Sequence, residues 1–579
     1  MTDRKRWQPS APREQEPNLD LVAIALTPLT ILLQGHSFGL GNYDTLLTFI
    51  RRINDYTFLS GDWMLTTPPV HPVLLNLIAG PCAWWGEANA FLLVQVLTRA
   101  LLLCGVWRLV LALLPGALRV ALATMAVTVL EPRLQLGGHY LQAGHWEPAH
   151  LGMAFAVWII AEGIRLTSGR GHWITFTLVG GFGIFSHLFI CLPVFALTFG
   201  AIAWKSSLPA KQLAISIVSA LFIGSPMLIP AVQGFFSPES SPLSGSEVIA
   251  VLQFRHPHHH QPWTWPLTHY LQAILFLAAA CFVWRKLLHG DARRRLVIPA
   301  ILFAYFIASC VAFTVFGALH TLPIIAYFQC FRLLSLFLLM GSIAAFATID
   351  TLVVRSVPFL LACVLFAVGM SFVQFLGTAI MAVAMVLLAR RAAGREVAPG
   401  FRVHRGLAVA TALLGFAGLL AMQFSPRLQS LANGARRDHW HSDSLPDSPQ
   451  RAALAKWIRG NTSPDALFAI PPQMGYFRTW EERAIVADMK NIPYRNADMK
   501  EWADRIKAAG VDDPYRKFAK PSTKDPSFDQ MKSFADSYRA DYFVLREKIA
   551  DPRNLYPGEG YSVFRRGDFD VNILDRVIQ

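Results

Sequence analysis

Three acids, Asp44, Asp55 and Asp62, fall close together in the stretch from 35 to 72, with Arg51, Arg52 and His71 and the aromatics Tyr43, Phe49, Tyr56, Phe58 and Trp63 among them. A carboxylate at a water–lipid boundary can take a proton from a hydroxyl as a general base, and arginines beside it can neutralise a phosphate. Gly39 and Gly41 flank Leu40 just before Asp44 and let the chain turn sharply. A purely architectural role for Asp44 is also open: it would cap a helix that starts at Thr45.

A second cluster lies in EPRLQLGGHYLQAGHWEPAH, which brings Glu131, Arg133, His139, His145, Glu147 and His150 together. A Glu between two His suits acid/base chemistry or a cation site; the alternative is a solvated loop held at the interface by Tyr140 and Trp146. A third, QFRHPHHHQPWTWP, holds Arg255, His256, His258, His259 and His260. Neighbouring side chains of an extended segment alternate faces, so consecutive histidines make awkward metal ligands, whereas an Arg/His group can neutralise a phosphate. Arg332, in AYFQCFRLL at the outer end of an apolar run, wants an anionic partner or a route to the headgroups. Arg99 is similar but deeper in its segment, and His187 reads as a satisfied buried histidine.

The elements that position these groups are membrane helices. The chain has 579 residues, is 54% hydrophobic and only 16% charged, with 40 Phe and 16 Trp. Its long apolar runs can satisfy their backbone in hydrocarbon only as helices. A soluble multidomain enzyme, a nucleic-acid enzyme and a disulfide scaffold are excluded as readings, and all seven cysteines lie in apolar segments as small buried hydrophobes. Thirteen spans are expected, near 20–34, 90–110, 117–131, 150–164, 173–187, 188–204, 212–231, 267–285, 296–317, 332–349, 357–373, 374–390 and 406–424. With the N-terminal tail (1–19) in the cytoplasm, 21 Lys and Arg fall on the cytoplasmic side and only Arg51, Arg52, Arg133, Arg255 and Arg332 opposite. The outer loops are then 35–72, 132–149 and 232–266.

The part from 425 to 579 is nearly balanced, with 25 Lys/Arg against 22 Asp/Glu. It alternates short strands (466–470, 484–488, 542–546, 561–565) with helices (452–458, 499–509, 528–540), which predicts an α/β domain outside the cytoplasm. It has neither a glycine-rich phosphate loop nor a nucleophile elbow, so chemistry is expected in the membrane half.

One span followed by Asp44, then Gly61-Asp62-Trp63, then Pro68-Pro69 and His71-Pro72 opening an apolar helix, resembles the first outer loop of GT-C superfamily glycosyltransferases. The protein O-mannosyltransferase and aminoarabinose transferase branches are the most similar. Within the superfamily, Pro257-His258-His259 and PPQMGYFRTWEERAIVADMKNIPY look like uncharacterised bacterial multi-pass members with a Pro-His-His loop. Asp44-Thr45 departs from the paired acids of the O-mannosyltransferase branch, so which outer-loop acid is the base stays open.

The resemblance implies a GT-C-like polytopic α-helical fold (20–424) in a bacterial inner membrane, with the α/β domain on the periplasmic side. It implies inverting transfer of a sugar from a polyprenyl-phosphate donor to an acceptor glycan, lipid or protein, with no nucleic-acid partner. Asp44 would be the general base and Glu147, with His145, a second acid site. Arg51, Arg255, Arg332 and His71 would bind the donor phosphate, with Asp62, His258 and His259 as further site residues. A divalent cation, Mg or Mn, is left open. The competing readings are a lipid-linked saccharide flippase, which would want charges deep in several spans and internal symmetry, and a non-catalytic envelope assembly protein.

Overall fold

The computed structural model describes residues 19–39, 41–128, 141, 143, 145–206, 208–236, 243–317, 330–353, 358–359, 361–366, 374–392, 405–435, 440–441, 448–493, 495–516, 519, 521 and 524–569. Glu131, Arg133, His139 and Tyr140 of the second cluster lie outside them.

The chain is mostly helical. The membrane half runs α1 (Leu19–Gln34), a two-residue strand β1 (His36–Ser37), α2 (Tyr43–Asn54), α3 (Pro72–Trp85), α4 (Glu87–Leu113), α5 (Leu118–Val127), α6 (Pro148–Thr167), α7 (Trp173–Ser186), α8 (Leu188–Lys205) and α9 (Ala210–Phe236). It continues with α10 (Gly245–Arg255), a single turn α11 (Pro257–His260), α12 (Leu267–Leu287), α13 (Val297–Ala312), α14 (Leu334–Leu352), α15 (Gln374–Ala392), α16 (Arg405–Phe424) and α17 (Pro426–Ala435). Among the described residues seven helices are long and apolar enough to cross a membrane, or eight if the pair bent by 95° around 425 is one span. That is fewer than thirteen: of the expected spans, α1 and α7 are apolar but too short to span unaided, and those at 117–131 and 357–373 fall partly outside the described residues.

The bundle packs mainly through α4 on α6, α6 on α8, α7 on α9, α12 on α15 and α1 on α16. Small residues let backbones approach: a Cβ on Gly163 would stand 2.2 Å from Thr198, and one on Gly341 would stand 2.4 Å from Phe276. Several basic residues that flank apolar helices are paired: Glu162 takes Arg108 at 3.2 Å and Arg165 at 3.6 Å, Asp350 takes Arg119 at 2.8 Å, and Arg295 reaches the carbonyl of Leu113. Arg99 is buried and donates to the side-chain oxygen of Gln34, at the end of α1.

After the bundle come β2 (Trp440–His441), α18 (Pro449–Asn461), β3 (Leu467–Ala469), the short turn α19 (Phe477–Trp480), β4 (Ala484–Ile485), α20 (Asn496–Ala508), α21 (Phe528–Ser537), β5 (Tyr542–Leu545) and β6 (Ser562–Arg565). The four longer-range strands form one sheet in the order β4-β3-β5-β6, with β3 parallel to both neighbours and β5 antiparallel to β6. Phe468, Ile470, Phe477, Val544 and Val563 fill one core of this region, and Met531, Phe534, Phe543 and Phe564 another. The region is tied back to the first outer loop at the level of elements by β1, which pairs in parallel with β2, and by α19, which packs on α2.

Candidate functional site

The site is built on the glycine turn that enters α2. Gly39 and Gly41 adopt φ of 83° and 66°, in the left-handed region that favours glycine, and reverse the chain between β1 and α2. The next anchor is Tyr43, fully buried, its ring 5.2 Å from Phe38 and 4.7 Å from Phe91, with its hydroxyl accepting from the Trp146 amide at 3.3 Å. With Tyr43 turned into that aromatic cluster, Asp44 emerges on a neighbouring face of the first helical turn.

Asp44 is not a helix cap. The helix starts two residues earlier than expected, at Tyr43 with Asn42 before it, and the carboxylate accepts no bond from the helix amides among the described residues. Its partners come from the distant segment between β3 and α20. Thr479 Oγ1 donates to Oδ1 at 2.9 Å, and the backbone N of Tyr476 and Nδ2 of Asn491 each donate to Oδ2 at 3.2 Å. Thr45, next in sequence, donates to the Asn491 side-chain oxygen. Asp44 is 1% exposed, and burial, reinforced by the nearby charge of Asp488, holds its carboxyl above the usual range against the pull of Lys490, Arg478 and Thr479.

The 476–491 segment is fixed by a buried clamp. Arg478 donates from Nε to Asp62 Oδ2 at 2.7 Å and from a terminal nitrogen to Oδ1 at 3.1 Å, and pairs with Asp488 on its other side. Asp62 also accepts from the amides of Met64 (2.9 Å) and Ile485 (3.0 Å). Asp488 accepts from the amides of Lys490 and Asn491 at 2.7 and 2.6 Å; burial raises its carboxyl, but Arg478 and Asn491 bring it below the ordinary carboxylate range. Asp62, a site candidate on sequence, is therefore a structural pivot saturated by protein donors. Tyr476 and Glu482, both non-glycine residues with positive φ (63° and 54°), bracket the turn that carries Arg478 and Thr479. Such conformations persist only where surrounding contacts over-determine them.

Lys490 closes the cluster. Its ammonium donates to the Gly41 carbonyl and, at 2.9 Å, to the Tyr476 hydroxyl, which itself donates to the Gly41 carbonyl at 2.9 Å. Burial and the neighbouring Arg255 lower the pKa of Lys490, while Asp44, Asp488 and Glu147 act to raise it.

On the other flank of Gly41 stands His145, close enough that a Cβ on residue 41 would be 2.6 Å from its ring. Its Nε2 is 3.0 Å from Glu147, which precedes α6 and whose amide donates to His150 Nδ1 at 3.2 Å. Burial acts to raise Glu147, yet the hydrogen bond and charge of His145, with His150 and Arg332, bring it down to about 2. Arg332 in turn lies 3.2 Å from Nε2 of His187, and the His187 and His71 rings are 5.5 Å apart. The Nδ1 atoms of both histidines are buried without a hydrogen-bond partner among the described residues. His187 is thus not the satisfied histidine that its sequence context suggests. Burial, with Arg332 nearby, lowers His71 to about 4, so near neutrality it is an uncharged donor or acceptor.

Two expected phosphate ligands are otherwise engaged. Arg51 grips Glu87 with two bonds, of 2.7 and 2.9 Å, and donates to the Thr479 carbonyl at 3.0 Å. Its charge is met by an acid at the start of α4 that local sequence does not connect with it. Arg255 donates from Nε to the Lys490 carbonyl at 3.1 Å and so steadies the 476–491 segment. The histidine run is not extended as expected but forms the turn α11, on which His258 lies. His259 and His260 are buried, and His260 stacks on Phe313. Among the described residues no group of three or more His, Cys, Asp or Glu is arranged to hold a metal ion.

Tyr476, Arg478, Thr479, Asp488, Lys490 and Asn491 were not expected in the site, because the 425–579 part carries neither a glycine-rich phosphate loop nor a nucleophile elbow. The visible signal was the polar density of PPQMGYFRTWEERAIVADMKNIPY itself.

A family model described as a domain of unknown function (DUF6798) matches residues 450–509, which contain all six of these residues. No curated protein matches the chain. Among solved structures the chain is similar to the crystal structure of the Archaeoglobus fulgidus oligosaccharyltransferase in complex with Zn and sulfate, at 12% identity over 91% of this chain and 67% of that one, with a TM-score of 0.38.

Proposed function

We propose that this protein is a membrane glycosyltransferase that moves a sugar from a polyprenyl-phosphate donor to an acceptor hydroxyl at the outer face of a bacterial inner membrane, with Asp44 as the general base. The observation that carries the reading is the state of Asp44: a buried carboxylate aimed by three donors from one distant segment. The three donors leave lone-pair capacity on the carboxylate, where an acceptor hydroxyl can bind. Burial makes it a stronger base than an exposed aspartate.

In the proposed reaction the acceptor O–H gives its proton to Asp44 as its oxygen bonds to the anomeric carbon. The bond from that carbon to the phosphate oxygen breaks on the opposite face, and polyprenyl phosphate departs with the electron pair. Arg332, His71 and His187 are the groups suited to receive that phosphate, since the two imidazoles carry buried Nδ1 atoms with no protein partner among the described residues. Glu147, bonded to His145, serves as a second acid. The 425–579 region is proposed to lie on the same outer side, because it supplies the donors to Asp44.

The test is release of polyprenyl phosphate by purified protein reconstituted in liposomes with a panel of polyprenyl-phosphate sugars and mixed acceptors. Wild type should release the lipid phosphate with at least one donor, and Asp44→Asn should not, while remaining folded and inserted. Donor that crosses the bilayer chemically unchanged would favour a flippase instead. Full activity of Asp44→Asn would remove Asp44 as the base.

A further inference from the structure

Lys490 lies where the segments of the site meet. Its ammonium binds the Gly41 carbonyl and the Tyr476 hydroxyl, and it stands 4.2 Å from the centre of the Tyr476 ring. The backbone of Tyr476 and the side chain of Asn491, the residue next to Lys490, both donate to Asp44. Across Gly41 lies His145, which is bonded to Glu147. One ammonium is therefore tied through single residues to the loops that carry both acids. Its two hydrogen bonds go to neutral oxygens, so its charge is not consumed in a close ion pair among the described residues. Arg478, the other cation at Asp44, is committed to Asp62 and Asp488.

We propose that Lys490 is a positioning residue of the site: it fixes the glycine turn that aims Asp44 and supplies the positive charge that keeps the buried carboxylate ionised. The groups facing Asp44 divide by sign. Asp488 from the same segment opposes ionisation, Arg478 and Lys490 favour it, Arg255 of α10 acts on Lys490 and Asp488, and Glu147 beside His145 acts on Lys490. Among these groups of the described residues, Lys490 combines a favourable charge with a bond to the turn before Asp44. The catalytic consequence rests on Asp44 being the base; the charge relationship does not.

The experiment reads Asp44 directly. Full-length protein in detergent is treated with dicyclohexylcarbodiimide, which modifies protonated carboxyl groups, over a range of pH, and the label on the Asp44 peptide is quantified by mass spectrometry. Lys490→Met should move the pH of half-labelling upward by about one unit or more, about a tenfold gain in protonated Asp44 at a given pH. Lys490→Arg should stay near wild type. Lys490→Gln, which keeps a donor for Gly41 and removes the charge, should shift as the Met variant does, and it carries the test if the Met variant does not accumulate. An unchanged midpoint in the uncharged variants, or an equal shift in Lys490→Arg, overturns the proposal. Because labelling needs neither donor nor acceptor, its outcome is separate from whether the protein transfers a sugar.

Discussion

Thr479 and Asp44 are joined by a hydrogen bond across 435 residues of chain, from Oγ1 of the one to Oδ1 of the other at 2.9 Å. Both side chains are buried. A hydrogen bond to a charged group contributes about 1.5–3 kcal/mol and favours the ionised form, so this contact opposes the rise in pKa that burial imposes on Asp44. The opposition suits a general base, which must be ionised at working pH yet retain affinity for a proton. It also makes the 476–491 segment part of the site rather than a neighbour of it.

Thr479→Val keeps the shape and removes the donor. With that lowering influence gone, the Asp44 carboxyl rises further, and the acid limb of the rate–pH profile should move to higher pH. The loss of polyprenyl-phosphate release should be greatest at low pH and recover as pH rises, while Thr479→Ser should follow wild type. Profiles that superimpose would mean that Asp44 is not the group titrating on that limb.

Arg478 is 2% exposed and spans two buried carboxylates. Removing one member of a buried ion network leaves uncompensated charge, at a cost of about 3–5 kcal/mol. Arg478→Met should lower the thermal unfolding midpoint of the 425–579 region sharply, and adding Asp62→Asn should restore part of the loss, because one stranded charge is then neutral. A double variant no more stable than Arg478→Met alone would show that Asp62 is not the partner that matters.

The sequence reveals this architecture only as far as local pattern reaches. Apolar periodicity places α4, α6, α8, α9 and α12 to within a few residues, and alternation finds β3, β5 and β6. Asp44, His145, Glu147, His71 and Arg332 stand out because charge and histidine are scarce between apolar segments. What local pattern does not carry is pairing over hundreds of residues. Asp44 with its glycine turn reads equally as a cap, and nothing near it announces that Thr479, Tyr476 and Asn491 satisfy its oxygens. For the same reason Asp62 resembles a catalytic acid until Arg478 is seen to saturate it, and Arg51 a phosphate ligand until Glu87 takes its fork. Buried polar groups must find partners, but the sequence does not say which.

Glu147 gives the site a defined acid sensitivity. Its carboxyl lies at about 2, against an ordinary value of 4.5. A depressed carboxyl contributes stability that is fully present above the unfolded value and is lost as pH falls through the folded one, so the loss should run from about pH 4.5 to about pH 2. Replacing His145 with Ala removes the hydrogen bond and the charge that do most of the lowering, and should raise the lower edge of this window. Acid unfolding followed by intrinsic fluorescence checks it. An acid transition identical in His145→Ala and wild type would separate Glu147 from His145.

Gly41 is the position where geometry leaves least room. Its φ of +66° disfavours any residue with a Cβ, at about 1–2 kcal/mol, and that Cβ would lie 2.6 and 2.7 Å from two atoms of the His145 ring. Gly41→Ala must therefore push His145 off Glu147, shift the turn that carries the carbonyl held by Lys490, or do both. Either displacement reaches one of the two acids, so transfer should fall by more than the stability loss alone explains. Gly41→Ala combined with His145→Ala separates the causes: relieving the clash should restore the steric part of the stability and leave the backbone part. Transfer should stay low in the double variant because Glu147 has lost its partner. If Gly41→Ala alone unfolds and turns over as wild type does, the turn has slack that these contacts deny, and the tight coupling of Asp44, Lys490 and His145 through Gly41 fails with it.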